Sequence, residues 1–268
     1  MKRLISLLLL ASALAVPAFA ATVTFHASID GSQENPGTAS PAWGVANLEL
    51  DPATGAFHLV VNLKNVDETL AASHIHVAAV GVNGPVIVGL GGEAAYRRSA
   101  GKNLHAIFTG TVPAEHIETM LSNGCYVNFH TATYPGGATR GQLIANDVWL
   151  SVEMNGANEV PARDTPATGF AAITYNPGTK VISTLVEIED FANTITGSHY
   201  HTAPAGVNAG VTLGLGPEAS YVRVGDDLTG EFLNLVWPSA SLPLLTGGVY
   251  LNVHSTVWPG GEIRGQVW

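Results

Sequence analysis

Short runs of alternating apolar and polar residues make up most of the chain. Residues 56–66 (AFHLVVNLKNV) and 180–191 (KVISTLVEIEDF) carry apolar side chains at about every second position and are rich in β-branched residues. This period of two is typical of strands that turn one face to a core. Turn signals such as Asn83-Gly84-Pro85 separate the runs. The pattern therefore predicts an all-β chain built from antiparallel β-sandwiches.

One segment departs from this pattern. Residues 113–124 (PAEHIETMLSNG) begin with Pro113 and end at Gly124, which are the residues that favour the start and the end of a helix. The equivalent residues 238–248 (PSASLPLLTGG) are fewer and contain an internal proline. We expect a helix in the first segment and only one or two helical turns in the second.

The chain is an internal duplication. Four segments of the first half recur in the second at an offset of 125 residues, or 124 near the end: 30–38 at 155–163, 43–55 at 168–180, 73–85 at 198–210, and 125–143 at 249–267. A period of this length indicates two complete domains in tandem, because solenoid repeats are much shorter. We place the domains at residues 21–146 and 147–268. With almost no linker between them, we expect them to touch.

The first twenty residues (MKRLISLLLLASALAVPAFA) have the features of a secretory signal. Lys2 and Arg3 precede an apolar run, and Ala18-Phe19-Ala20 forms a small-x-small cleavage site. We therefore expect cleavage near Ala20 and export to the periplasm or the extracellular space. No later segment approaches the ~20 uninterrupted apolar residues of a membrane span, so no membrane span is expected.

Charge and cysteine content restrict the partners and the source of stability. Removing Lys2 and Arg3 leaves nine basic residues against 21 acidic ones, a formal charge of −12. Such a charge disfavours nucleic acid and is compatible with binding cations. Cys125 is the only cysteine, so no intrachain disulfide can form. Its counterpart is Val249, which favours a buried apolar role for Cys125.

The duplication sorts the ten histidines of the chain. Four have no counterpart in the other half, whereas six form two matched trios: His74, His76 and His130, and His199, His201 and His254. Residues i and i+2 of a strand point to the same face. His74 and His76 therefore project together, as do Tyr126, Asn128 and His130. If the two strands are neighbours, three imidazoles converge on one polar face.

Each trio predicts a metal site. Three neutral imidazoles without a thiolate suit Cu(II) or Zn(II), and Ni(II) or Fe(II) less well. We expect about one ion per domain, with copper favoured over zinc. The structural alternative is that the histidines donate N–H groups to carbonyls of the Gly/Asn-rich loop, and a further one is that they contact a ligand directly.

Two other polar positions repeat. Glu34 and Glu159 each lie two residues before a proline, and Arg140 and Arg264 each lie in a GG-x-x-RGQ sequence. An acid and a base that repeat together predict a structural ion pair, with the planar guanidinium holding the carboxylate through two hydrogen bonds. The alternative is a positively charged gate beside the metal.

These motifs resemble the chordin-domain (CHRD) family over nearly the whole chain after residue 20. Both halves carry the E-x-P turn, the H-x-H segment and a closing Y-x-N-x-H…PGG-x-x-RGQ; in the first half these are Glu34/Pro36, His74/His76, Tyr126/Asn128/His130, Pro135/Gly136/Gly137 and Arg140/Gly141/Gln142. The resemblance implies an immunoglobulin-like β-sandwich and an extracytoplasmic location. It implies no settled activity.

The H-x-H strand is also similar to the copper-ligand strand of copper/zinc superoxide dismutase. The two halves lack an evident bridging histidine and zinc-site aspartate, so this analogy concerns the fold. Three functions follow as hypotheses: an exported metal-binding protein, a non-enzymatic cell-envelope binding or structural module, and a dismutase-like metalloenzyme. We assign no catalytic residue and expect little turnover. The expected partner is a metal ion, and an unidentified protein partner is compatible with the sequence.

Overall fold

The computed structural model describes residues 21–99 and 102–268. The predicted signal sequence, residues 1–20, lies outside the described residues. Over the described part the chain is almost entirely β-structure, arranged as two antiparallel sheets. The prediction of an all-β, tandem fold is confirmed.

Ten strands and one α-helix make up the described part of the first domain. In chain order they are β1 (Val23–Asp30), β2 (Trp43–Leu50), β3 (Ala56–Lys64), β4 (Leu70–Val77), β5 (Val86–Gly91), β6 (Arg97–Ser99), β7 (Asn103–Thr111), α1 (Ala114–Leu121), β8 (Cys125–Thr131), β9 (Thr139–Gln142) and β10 (Ile144–Ala145). The sheet order is β5-β4-β8-β9-β1-β2-β3-β7-β6, with β10 also paired to β1. The sheet curls on itself and encloses its apolar face, which gives a sandwich-like domain.

The second domain repeats this topology. Its elements are β11 (Val148–Asn155), β12 (Thr168–Asn176), β13 (Val181–Glu189), β14 (Ile195–Thr202), β15 (Val211–Gly214), β16 (Val222–Val224), β17 (Asp227–Val236), α2 (Ser241–Leu245), β18 (Val249–Ser255) and β19 (Ile263–Gln266). The sheet order is β15-β14-β18-β19-β11-β12-β13-β17-β16. Each strand thus occupies the place of its counterpart in the first domain.

The period-two pattern determines which face of each strand is buried. In β3 the side chains of Phe57, Leu59 and Val61 are buried, and those of Ala56, His58 and Asn62 are exposed. The strand ends where Asn65 adopts a positive φ of 55°, a backbone conformation that interrupts a strand. The strands predicted at residues 56–66 and 180–191 are therefore observed, slightly shortened, as β3 and β13.

Both helical predictions are confirmed. Pro113 is the N-terminal cap of α1, and the Gly124 N–H donates to the Thr119 carbonyl beyond its last turn. The second helix, α2, has only five residues. Among the described residues, no helix is long and apolar enough to cross a membrane.

The two helices bring the domains into contact. Glu118 of α1 accepts hydrogen bonds from the backbone N–H groups of Ser241 (2.8 Å) and Leu242 (3.0 Å) at the start of α2. The expectation that the domains touch is confirmed. Cys125 is fully buried and unpaired, as its replacement by valine in the second half predicted.

Candidate metal centre

Two adjacent strands position the first histidine trio. Strands β4 and β8 pair antiparallel, so that His74 lies opposite Asn128 and His130 lies opposite Ala72. Ser73 and Ile75, which alternate with the histidines, are fully buried on the other face. The predicted parity is observed, and the two strands are neighbours, which was the condition for the three imidazoles to converge.

The three rings of each trio lie side by side. In the first domain the ring centroids of His74 and His130 are 5.0 Å apart, and those of His74 and His76 are 5.5 Å apart. In the second domain β14 and β18 bring the corresponding rings together, with His199 5.1 Å from His254 and 5.9 Å from His201. In both trios one ring nitrogen from each histidine lies within 4.8 Å of the other two. The structure thus brings together all six predicted site residues, in two groups.

Backbone carbonyls orient two rings of the first trio. His76 Nδ1 lies 2.9 Å from the Gly84 oxygen, and His130 Nδ1 lies 3.1 Å from the Pro135 oxygen. A carbonyl only accepts, so each Nδ1 carries the proton and each Nε2 keeps its lone pair. His74 Nδ1 lies 3.1 Å from His130 Nε2 and donates to the lone pair of that nitrogen.

The second trio repeats this arrangement. His201 Nδ1 lies 2.9 Å from the Ala209 oxygen, and His254 Nδ1 lies 3.0 Å from the Pro259 oxygen. In each domain the Nε2 atoms of the second and third histidine therefore keep a lone pair that a metal could use. Hydrogen bonds that fix a ring through its other nitrogen are the usual outer support of histidine metal ligands.

Several of these nitrogens are buried without a hydrogen-bond partner. They are His76 Nε2 in the first domain and His199 Nδ1, His201 Nε2 and His254 Nε2 in the second. Buried polar atoms are nearly always paired, because an unpaired one loses its hydration without compensation. Convergent lone pairs that lack a donor are what a borderline cation such as Cu(II) or Zn(II) would satisfy.

Burial favours the neutral form of five of these imidazoles. Desolvation is the main cause that lowers the pKa of His74 and His76, and neighbouring imidazoles lower that of His74 further. Burial likewise lowers the pKa of His130, His199 and His201. A metal must displace protons from protonated ligands, so neutral rings are ready to coordinate near pH 7.

A tyrosine and an arginine support the central ring of each trio. His76 stacks on Tyr126 with centroids 4.9 Å apart, and the Arg140 guanidinium carbon lies 4.7 Å from the Tyr126 centroid. The Tyr126 hydroxyl accepts a hydrogen bond from the Gly84 N–H at 3.2 Å. Sequence reasoning placed Tyr126 on the histidine face but did not assign it a role. The signal was the repeat of tyrosine at the start of both Y-x-N-x-H segments.

In the second domain a tyrosine and an arginine support the central histidine in the same way, with shorter distances between the groups. His201 stacks on Tyr250 at 4.6 Å, and the Arg264 guanidinium carbon lies 3.3 Å from the Tyr250 centroid. Ala209 occupies the loop position of Gly84, and its N–H donates to the Tyr250 hydroxyl at 3.1 Å. A Cβ added to Gly84 would lie 1.9 Å from the Val77 oxygen, so the first loop passes β4 at a distance that alanine would not allow.

The predicted ion pair is present in the first domain, but its geometry differs from the expected one. Arg140 Nε lies 4.0 Å from Glu34 Oε2, whereas Nη1 donates to Asn83 Oδ1 at 3.0 Å and Nε donates to the Gln33 carbonyl. The expected two-bond carboxylate contact is wrong, because loop acceptors lie closer to the guanidinium. Arg140 is only 3% exposed, which argues against the alternative of a gate.

In the second domain the guanidinium is also used to hold the loop. Arg264 donates to Asn208 Oδ1 at 2.9 Å and to the Val207 carbonyl at 2.7 Å. Among the described residues, no approach of 4.0 Å or less joins Arg264 to Glu159. Burial raises the pKa of Glu34 and of Glu159 to about 7, although the nearby arginines oppose this shift.

Comparison with known proteins agrees with the duplication. A family model described as CHRD domain matches residues 25–143 and 150–267. Chordin of Danio rerio is 28% identical over an alignment of 193 residues, and the match covers 64% of this chain and 20% of chordin. The chain therefore spans about a fifth of that relative's length.

Proposed function

The chain belongs to the CHRD-domain family, and on that premise we propose that it is an exported protein that binds a divalent transition metal, copper in preference to zinc, once in each domain. The ligands are His74, His76 and His130 in the first domain and His199, His201 and His254 in the second. Export rests on the character of residues 1–20.

The observation that carries this proposal is the state of the ring nitrogens. In each domain two rings are fixed through Nδ1 by loop carbonyls. Buried ring nitrogens without a hydrogen-bond partner remain at His76 in the first domain and at all three histidines of the second. In the second domain three buried acceptor nitrogens converge without a donor, and a positive centre would satisfy all three. Copper is favoured because the donors are neutral nitrogens, and Cu(II) forms the most stable complexes of the first-row divalent ions with such ligands.

A structural role for the histidines is the second candidate function, and it also has an observation in its favour. The bonds from His76 to the Gly84 carbonyl and from His130 to the Pro135 carbonyl are what a loop-shaping histidine would make. Shaping a loop needs only one nitrogen of each ring, however. It leaves the buried second nitrogens of His76, His201 and His254 unexplained.

A dismutase-like enzyme has less support. The described residues add no further His, Cys, Asp or Glu to either trio, so no adjoining second metal site is formed. We therefore propose metal binding or handling without turnover. Superoxide consumption by the copper-loaded protein above that of copper-histidine complexes would contradict this part of the proposal.

Metal stoichiometry tests the proposal directly. The chain from residue 21, equilibrated with Cu(II) and then desalted, should retain close to two ions, and the triple variant His74→Ala/His76→Ala/His130→Ala should retain close to one. A matched control replaces three exposed histidines outside the trios, His26, His58 and His105, and should retain two. Metal near zero in the unsubstituted chain, or an equal loss in the control, would favour the structural role.

A further inference from the structure

We propose that each metal centre binds a small exogenous ligand that approaches over Gly89 in the first domain and over Gly214 in the second. This inference rests on the proposed metal site. It adds the path by which a further ligand reaches the metal and the chemical class of that ligand.

The two glycines lie beside the histidines on the outermost strands. Strand β5 forms the edge of the first sheet, and Gly89 is the cross-strand partner of His74. In the second domain Gly214 of β15 is the partner of His199. Side chains of directly paired residues lie on the same face of a sheet. The position that would place a side chain next to this histidine is therefore occupied by glycine in both domains.

The backbone does not require glycine at these positions. Two residues further on, Gly91 and Gly216 adopt positive φ angles of 93° and 143°, a backbone conformation that favours glycine. Gly89 and Gly214 are not among the residues with positive φ. Backbone conformation therefore explains the glycines at 91 and 216 and leaves those at 89 and 214 unexplained.

Packing does not require glycine there either. A Cβ added to Gly89 would meet no atom within 4 Å, and one added to Gly214 would meet only His199 Cδ2, at 3.9 Å. By contrast, a Cβ at Gly44 would lie 2.1 Å from the Asn62 oxygen. Glycine weakens a strand and often marks a close approach of another group. What Gly89 and Gly214 share is that they leave the adjoining histidine uncovered.

The surroundings indicate the class of ligand. Three protein nitrogens leave at least one coordination position of a copper or zinc ion for another donor. The neighbouring edge residues are apolar: Val86, the partner of His76, is 48% exposed, and Val211, the partner of His201, is 57% exposed. The nearby Arg140 and Arg264 are buried and donate to oxygens of their loops, and Nη2 of Arg140 has no hydrogen-bond partner among the described residues. The ligand is therefore a monodentate nitrogen or oxygen donor of a few atoms, held by the metal itself.

Azide is a suitable probe, because its binding to Cu(II) produces a charge-transfer absorption band. The copper-loaded chain should bind azide. The double variant Gly89→Leu/Gly214→Leu should bind azide with an affinity lower by a factor of about ten or more, since steric exclusion by a few carbons has this magnitude. Copper content should stay near two ions in both. The control Thr229→Leu, on an exposed strand position remote from the trios in the pairing scheme, should behave as the unsubstituted chain.

The outcomes separate the two proposals. An azide affinity in the leucine variant within about twofold of the original value, with copper retained, would overturn the approach over the glycines. Absence of copper in the unsubstituted chain would overturn the metal site and this inference together. If leucine disturbs folding or copper content, Gly89→Ala/Gly214→Ala decides, because a Cβ is sterically accepted at both positions: weaker azide binding supports the inference, and unchanged binding overturns it.

Discussion

Arg140 lies over the ring of Tyr126, which in turn stacks on His76. The same guanidinium donates to Asn83 in the loop that ends at Gly84, and the Gly84 carbonyl accepts from His76. Arg140 thus acts on one proposed ligand along two routes, through an aromatic ring and through a loop. Because both routes run through other residues, we regard Arg140 as a positioning residue.

Arg140→Lys should weaken metal binding in the first domain. Lysine keeps the charge but loses the planar set of donors that holds the loop, and loss of an outer support typically lowers metal affinity roughly 10- to 100-fold. The measurement is a calorimetric Cu(II) titration in a background with His199, His201 and His254 changed to alanine, so that only the first site is read. Arg97→Lys, at an exposed position of β6, is the control and should leave the affinity unchanged. Equal affinities for both variants would show that Arg140 serves stability alone.

Strand geometry made the histidine clusters predictable, because the face of a strand residue depends only on its parity. The duplication showed that His130 and His254 belong with the H-x-H pairs, and so it identified the second strand of each histidine cluster. The bonds that select the free nitrogen of each ring were not predictable, since they depend on where a loop places the Gly84 and Pro135 carbonyls. The predicted contact of Arg140 was wrong for the same reason. Opposite charge predicted Glu34 as its hydrogen-bond partner, but the fold places loop acceptors nearer to the guanidinium.

Metal-dependent stabilisation should be lost in acid. Burial lowers the pKa of His74, His76 and His130, so the folded protein binds fewer protons there than the unfolded chain, and stability falls as pH drops below the unfolded value of about 6.5. Protons also compete with the metal for the same nitrogens. Cu(II) should raise the melting temperature at pH 7.5, and this gain should largely vanish at about pH 5. An identical melting temperature with and without copper at pH 7.5 would exclude both sites.

Glu34 and Glu159 should make the free energy of unfolding fall as the pH rises, which is opposite to the effect of the histidines. Burial raises their pKa to about 7 from the ordinary 4.5, so the folded state holds these protons more tightly than the unfolded state. Their contribution is complete below the unfolded pKa and is lost as pH rises through about 7. Glu34→Gln/Glu159→Gln should therefore gain stability relative to the original chain between about pH 5 and 8.

Urea unfolding of the metal-free protein at several pH values measures this difference. Taking the difference between two chains cancels the histidine contribution, which both share. Glu49→Gln/Glu187→Gln, at two exposed strand positions, is the control and should run parallel to the original chain. If the unfolding free energy of the Glu34/Glu159 variant also ran parallel to that of the original chain across the pH range, the raised pKa values would be contradicted.

Glu118 should hold the start of α2 across the domain contact. Glu118→Ala removes the acceptors for the Ser241 and Leu242 N–H groups, and loss of such a helix cap costs about 1 kcal/mol. Hydrogen exchange of those two amides should accelerate, while amides of β4 and β8 should not change. Glu115→Ala, exposed on the same helix, is the matched control. Unchanged exchange at Ser241 and Leu242 would show that the contact contributes nothing to α2.

The exchange of Gly84 for Ala209 makes the two centres unequal. The first loop runs so close to β4 that a methyl group would collide with the Val77 oxygen, and the arginine lies 4.7 Å from its tyrosine centroid there but 3.3 Å in the second domain. Two histidine sites with different outer supports differ in affinity. If both centres bind metal as proposed, a single polypeptide would fill in two steps and respond to a wider span of ion concentrations than a pair of identical sites, so that the duplication would extend the dynamic range of the protein as well as double its capacity.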